Sequence, residues 1–374
     1  MKILHTGDWH IGKRLNGVDM IEDQRYILDQ LLEQIDTSSA DLVVLAGDVF
    51  DRSNPSQSAL KLVNEYLYRI NIEKGVPVLA ISGNHDSRSR LDYGSYWFEK
   101  SNYHMRTSLK DITTPVIIDN HHFYMVPHMD VLEAKVFYDD ESIKNHHDVY
   151  QRITKEIDKV MDRDAYNVLI GHMFISNGTA SDSERPLSIG LSEEVGADLF
   201  EAFDLVLLGH LHHPFAISHE RIFYSGSLMK YSFSEVTQPK GFRIVETDVA
   251  TKCTFIPLQQ QRDLVHYQGT FEEVINETVV FEDKEAYFKF ELSGMSHIND
   301  PMAKLKMIYP NVMELRPLVE KRDYVPTQVN AHQSNDREIF ESFIESIRGE
   351  PLTEYQGQIF NTYFKGDADE ADSD

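Results

Sequence analysis

The chain reads as an α/β protein. Three features carry that reading: short apolar runs alternate with helical patterns, polar clusters follow the apolar runs, and the pattern changes near residue 260. "KILHT" (2–6), "LVVLA" (42–46), "VPVLAIS" (76–82), "NVLIG" (167–171) and "DLVLLG" (204–209) are apolar almost throughout, as suits strands buried on both faces. Between the first two, Ile21, Leu28, Leu31, Leu32 and Ile35 recur at helical spacing, with Asp19 as the expected cap. After "SNPS", Ala59, Leu60, Val63, Leu67 and Ile70 repeat that spacing. Strands and helices in alternation predict helix layers on a sheet.

Further along, 112–126 and 214–258 change to short paired strands. "PFAIS" with "RIFYSGS", and "GFRIVETD" with "CTFIPL", read as hairpins that extend or face the main sheet. Beyond 260 the order becomes strand, helix, strand, helix, strand. The expected layout is a main domain over 1–260, a small α/β capping domain over 261–320 and a polar linker over 321–338. Helices over 339–365 follow, striped with Ile339, Phe340, Phe343, Ile344 and Ile347, then Ile359, Phe360, Tyr363 and Phe364. Such stripes beyond a polar linker suit docking into a partner's groove. The tail over 366–374 is acidic, the composition of a disordered end.

Composition excludes several classes. Hydrophobic residues are 41% of 374 and charged residues 26%, ordinary values for a folded chain. Lys and Arg number 36 against 61 Asp and Glu, so the net charge is −25, which argues against broad electrostatic adhesion to nucleic acid. A polyanionic substrate must be held locally. One cysteine, Cys253, leaves no internal disulfide and no thiolate cluster. The first residues lack the apolar core of a secretory signal, and no run is long enough to span a bilayer, so a cytoplasmic protein without membrane attachment is expected.

Chemistry concentrates at the strand ends. "GDWH" (7–10), "GDVFDR" (47–52), "GNHD" (83–86), "GH" (171–172) and "GHLHH" (209–213) each begin with glycine, and in open α/β sheets such ends line one crevice. Asp8 with His10, and His210 with His212, are two residues apart, so continued extended backbone would project each pair to one side. The candidate ligands are therefore Asp8, His10, Asp48, Asn84, His172, His210 and His212. Carboxylate, amide and imidazole together, without thiolate, suit first-row divalent ions such as Mn²⁺, Fe²⁺ or Zn²⁺ more than Mg²⁺ or Ca²⁺, with Mn²⁺ the expected pair. Seven donors exceed the needs of one ion and suffice for two bridged by Asp48, the clamp used for displacement at phosphorus. Such a pair would make the site cationic within an acidic molecule. His5, inside the first strand, reads as structural, and His213 stays open between a supporting and an exposed role.

These motifs, in this order, resemble the calcineurin-like metallophosphoesterase superfamily, a β-sandwich flanked by helices. "KILHTGDWHIGK", "LAGDVFDRSNPS", "ISGNHDS" and "LGHLHHP" are more specifically similar to the SbcD family, the nuclease subunits of bacterial SbcCD complexes. The resemblance implies one ion on Asp8, His10, Asp48 and His212, and another on Asp48, Asn84, His172 and His210. It further implies that His85 is no ligand but stands beside the scissile phosphate and donates a proton to the leaving oxygen. Asp86 is the expected orienting partner of that ring. Lys13, Arg14, Arg52, Arg88 and Arg90, in loops behind the motifs, are candidate DNA contacts, or else pair with nearby carboxylates.

The implied activity is 3′ to 5′ exonuclease on duplex DNA and endonuclease on single strands or hairpins. The implied partner is an SbcC-like coiled-coil ATPase docked on the terminal helices, which would gate cleavage with ATP. A homodimer through the helices near 56–73 and 91–102 is also implied. Against this stand a free phosphatase or nucleotide phosphodiesterase on the same fold, and a catalytically silent scaffold.

Overall fold

The computed structural model describes residues 1–184, 193–248, 250–318, 339–344 and 351–364. The linker assigned to 321–338 and the acidic tail at 366–374 lie outside the described residues. Residues Met1–Arg316 form one compact unit, and Pro317–Asp374 group separately.

The chain first lays down β1 (Lys2–Thr6), α1 (Ile21–Ser38), β2 (Leu42–Ala46), α2 (Gln57–Tyr68), β3 (Val78–Ile81) and β4 (Tyr103–Arg106). It then builds β5 (Val116–Ile118), β6 (His121–Val126), α3 (His146–Asp158), β7 (Tyr166–His172), β8 (Leu205–Gly209) and β9 (Ile222–Tyr224). β10 (Gly241–Glu246) and β11 (Lys252–Pro257) return to the first sheet. That sheet has the order β11-β10-β1-β2-β3-β4, with β1 to β4 parallel and β10 antiparallel to both neighbours. The second runs β9-β8-β7-β6-β5, parallel from β6 to β9.

Alternation along the strands explains why the sheets stack. In β2, Leu42, Val44 and Ala46 face a core shared with Phe123, Val168 and Leu207 of the other sheet. Val43 and Leu45 point the opposite way, against Leu28, Leu31 and Leu62 of α1 and α2. Likewise Leu169, Val206 and Leu208 pack outward on Val149, Ile153 and Ile157 of α3. The result is a sandwich with helices on both outer faces, as expected. Each such fully buried aliphatic side chain contributes about 1.5–3 kcal/mol of transfer free energy.

Two local expectations change. Asp19 is not itself the N-cap of α1. Met20 occupies that position, and Asp19 Oδ1 accepts the Ile21 N–H at 3.0 Å from one residue further out. "PFAIS" does not form a hairpin with "RIFYSGS". Pro214 has no N–H to give a ladder, His219 Nδ1 accepts the N–H of Arg221 and Ile222, and β9 instead pairs parallel to β8.

The module after residue 260 follows the expected order. β12 (Leu264–Thr270), α4 (Phe271–Ile275), β13 (Tyr287–Ser293), α5 (Pro301–Lys306) and β14 (Val312–Pro317) surround Phe271, Val274, Phe288, Phe290 and Tyr309. A capping box between Thr270 and Glu273 starts α4. Asp23 of α1 ties the module down, accepting Tyr287 Oη–H at 2.8 Å and Arg262 Nη1–H at 3.0 Å. In the other unit, residues 339–344 are helical, α6 spans Glu354–Phe364, and the Phe340 and Phe360 rings stack at 4.6 Å. Among the described residues, no helix is long and apolar enough to cross a membrane.

Candidate metal centre

All seven expected ligands gather where β1, β2, β3, β7 and β8 end. Asp48 is at the centre: its Oδ2 lies 3.6 Å from His10 Nε2, 3.4 Å from His172 Nε2 and 4.0 Å from His85 Nε2. On one side His10 Nε2 and His212 Nε2 face each other at 3.0 Å, with Asp8 completing a set whose donor atoms lie within 4.8 Å. Asp8, Asp48 and His172 form a second such set. Asn84 Oδ1 is 2.9 Å from His172 Nε2. The His210 ring stands edge-on to that of His172, centroids 5.3 Å apart, while its backbone N–H donates to Asp8 at 2.9 Å. Six of the seven are buried and Asn84 is half-buried.

The backbone achieves this differently from the extended geometry anticipated. Asp8, His10, Asp48 and His210 have φ of 49°, 44°, 49° and 101°, so each turns through the left-handed region. Residues other than glycine pay roughly 1–2 kcal/mol there. Asp and His are among those that visit it most readily. Glycine supplies the space. A Cβ on Gly83 would stand 2.1 Å from Asp48 Oδ1, and one on Gly47, at φ +86°, 2.4 Å from His172 Nδ1.

Electrostatics suit cations. Burial pushes the Asp8 carboxyl up to about 6, with His172 and His212 pulling the other way. Burial would likewise raise Asp48, yet the surrounding imidazoles, His172 foremost, hold it well below the usual carboxylate range. Burial opposes charge on His172, yet Asp48, Asp8 and the Ala46 carbonyl together raise it to about 9. Burial holds His10 and His210 well below the ordinary imidazole value, leaving lone pairs to offer. Two desolvated carboxylates among imidazole nitrogens aimed at one another, with His10 Nδ1 unpaired among the described residues, fit a pair of divalent ions.

His85 borders this group: its ring is edge-on to His10 at 4.6 Å, its backbone N–H donates to Asp48 Oδ1 at 2.9 Å, and with His10 and Asp51 it makes a third close set of donor atoms. Its orientation corrects one expectation. The Asp51 backbone carbonyl lies 2.8 Å from His85 Nδ1, whereas Asp86 accepts the backbone N–H groups of Gly83, Val49 and Phe50 at 3.0, 3.1 and 3.0 Å. Asp86 therefore braces the two motif loops, and its burial, then the charge of Asp48, pushes its carboxyl up to about 7.

Most of the candidate DNA cations are engaged. Lys13 Nζ meets Asp51 Oδ1 at 2.9 Å, Arg52 meets Asp51 Oδ2 at 3.3 Å, and Arg88 pairs with Glu133 and donates to the His128 carbonyl at 3.1 Å. Arg14 and Arg90 are exposed and bond neutral oxygens, of Gly17 at 2.7 Å and Asn54 at 2.8 Å. Half-exposed His213 accepts the Phe215 N–H at 2.9 Å, a turn role, and His5 is buried within β1 as expected.

Sequence reasoning overlooked His128, buried 6.3 Å from His172 by ring centroids, and the buried pair Glu235 and Lys240 behind His212. "VPHMD" does follow an apolar run, as the five motifs do. "SFSEVTQPK" carried no comparable signal.

The calcineurin-like phosphoesterase family model matches residues 1–214, and a second, described as a type 5 capsule protein repressor C-terminal domain, matches 260–347. A protein of Staphylococcus saprophyticus, named as the D subunit of the SbcCD nuclease, is 43% identical over 96% of this chain and 96% of its own. The chain belongs to the SbcD family of calcineurin-like phosphoesterases. A second SbcD relative with that name, from Staphylococcus epidermidis, is 41% identical over 95% of this chain and 96% of its own. Among solved structures, TT1561 of Thermus thermophilus aligns at 13% identity and a TM-score of 0.40, covering 68% of this chain and 98% of that one.

Proposed function

We propose that this chain is the nuclease subunit of an SbcCD complex and hydrolyses DNA phosphodiester bonds with two Mn²⁺ ions. The single observation that carries the reading is Asp48, whose carboxylate lies between the imidazoles of His10 and His172. Asp8, His10, Asp48 and His212 would hold one ion, and Asp48, Asn84, His172 and His210 the other. When bound, the pair supplies neutralising charge at phosphorus and an activated water. The chain's own groups do the rest. His85, oriented by the Asp51 carbonyl, presents Nε2 toward the centre and protonates the leaving sugar oxygen. Exposed Arg14 and Arg90 are the cations freest to meet phosphate.

The layout proposed is a nuclease domain over 1–260, a capping domain over 261–320 and terminal helices that dock on a coiled-coil ATPase of the SbcC type in the cytoplasm. The Phe340 and Phe360 stack, with Ile359 and Tyr363 exposed, supports a docking role for those helices. Tyr93, which lines a groove with Tyr68 and Ile72, is 79% exposed and its neighbours Tyr96 and Trp97 are 76% and 74% exposed, supporting a homodimer through these residues.

The test compares Mn²⁺-dependent cleavage of labelled duplex and hairpin DNA, with and without the ATPase, against turnover of p-nitrophenyl phosphate. Cleavage of DNA that the ATPase and ATP stimulate is the expected result. Turnover of the small ester alone would establish the free phosphatase instead, and a protein that binds metal yet turns over neither would be a scaffold.

A further inference from the structure

Behind His212 stands a buried ion pair with no part in the chemistry proposed for the two ions. Glu235 lies on the short turn Phe233–Glu235 with no exposed surface, and Lys240 is 3% exposed. Glu235 Oε1 is 3.0 Å from His212 Nδ1, while Oε2 accepts from Lys240 Nζ at 2.7 Å and from the Tyr231 N–H at 3.0 Å. Lys240 also donates to the His212 carbonyl at 3.2 Å, Ser227 Oγ at 2.9 Å and Gln238 Oε1 at 3.0 Å. Ser183 Oγ lies 2.8 Å from His212 Nδ1, and Glu184 accepts the His212 N–H at 2.6 Å. His212 is thus gripped at its ring, its N–H and its carbonyl.

This grip selects one tautomer. A carboxylate can only accept, so the Glu235 contact favours the proton on Nδ1 and turns Nε2 toward an ion. Nε2 is the atom that faces His10 Nε2 at 3.0 Å. Two other rings rest on neutral backbone: His172 Nδ1 is 2.8 Å from the Ala46 carbonyl, and His85 Nδ1 is 2.8 Å from that of Asp51. Lys240 Nζ, 2.7 Å from Oε2, balances the buried carboxylate and keeps its other oxygen aimed at the ring.

We infer that Glu235 and Lys240 are a positioning pair that locks the His212 ring with Nε2 facing the site and so sets the affinity of one ion only, that held by Asp8, His10, Asp48 and His212. The inference rests on the two-ion reading. Mn²⁺ is titrated calorimetrically into the full chain, its Glu235→Gln variant and a Glu235→Gln, Lys240→Met double variant, followed by electron paramagnetic resonance. The double variant removes both charges, so it carries the test if the single variant, with Lys240 stranded, does not fold. The wild type should bind two ions with an exchange-coupled spectrum. The variants should keep one tight ion, bind the other about 10- to 100-fold more weakly, and show an uncoupled six-line spectrum at one equivalent. Folded variants that bind both ions as the wild type does, or lose both equally, overturn the inference. A wild type that binds no second ion overturns it together with the two-ion reading.

Discussion

At the scale of single residues, chemistry and scaffold separate at the centre. Asp48 lies between the imidazoles of His10 and His172 at 3.6 and 3.4 Å, whereas the His85 ring stands further off at 4.0 Å and is anchored by the Asp51 carbonyl. His85→Ala is therefore expected to retain two manganese ions while cleavage falls about 10²- to 10⁴-fold. Asp48→Ala should lose metal as well, and equal metal loss in both variants, measured by elemental analysis, would refute the division. Asp86→Ala should act through stability, because it releases three backbone N–H groups rather than freeing a catalytic ring. His5 offers a test apart from the metals. Burial first, then the Arg243 guanidinium, lowers its pKa from 6.5 to about 3. The folded state refuses a proton that the unfolded chain accepts, so stability is unaffected above pH 6.5 and drains as pH falls from 6.5 toward 3. The slope approaches about 1.4 kcal/mol per pH unit. His5→Leu should flatten urea-denaturation free energies between pH 6 and 4 by roughly that slope; an unchanged acid limb would contradict this.

At the scale of elements, the site is a property of strand ends more than of strands. Alternating burial in β2 builds two cores at once, which makes the strand runs legible as continuous apolar text. The polar cluster after each strand was legible as composition but not as geometry. The spacing of Asp8 and His10 suggested an extended pair, and the chain instead turns at both residues because φ is positive. Local spacing cannot reveal such a turn, since the backbone bonds that hold it come from another strand end: the N–H of His10 donates to the carbonyl of Asp48 at 3.0 Å. Gly83→Ala tests the crowding. Its methyl group would overlap Asp48 Oδ1, so manganese affinity should fall at least ten-fold and unfolding free energy by about 1–3 kcal/mol. Calorimetry and chemical denaturation read the two separately, and wild-type values in both would show that the loop yields.

For the whole molecule, the centre joins two sheets, so metal and fold are linked. Asp8, Asp48 and Asn84 follow strands of one sheet, while His172 and His210 end strands of the other. Ions bound between them should hold the sandwich closed. At about 100-fold over its dissociation constant, each ion should add about 2.7 kcal/mol to unfolding, raising the thermal midpoint until chelator reverses it. A midpoint indifferent to manganese would mean that the sheets do not share a metal. The amino-acid sequence by itself determined the layers, the order of motifs and the set of donors, because period, apolarity and residue type are local quantities. Only the tertiary structure decided which nitrogen of each imidazole faces inward, that Asp86 braces loops, and that Glu235 stands behind His212. Those outcomes depend largely on partners distant along the chain, 23 residues for His212 with Glu235 and 126 for His172 with Ala46, and no local pattern encodes which buried acceptor a ring will meet.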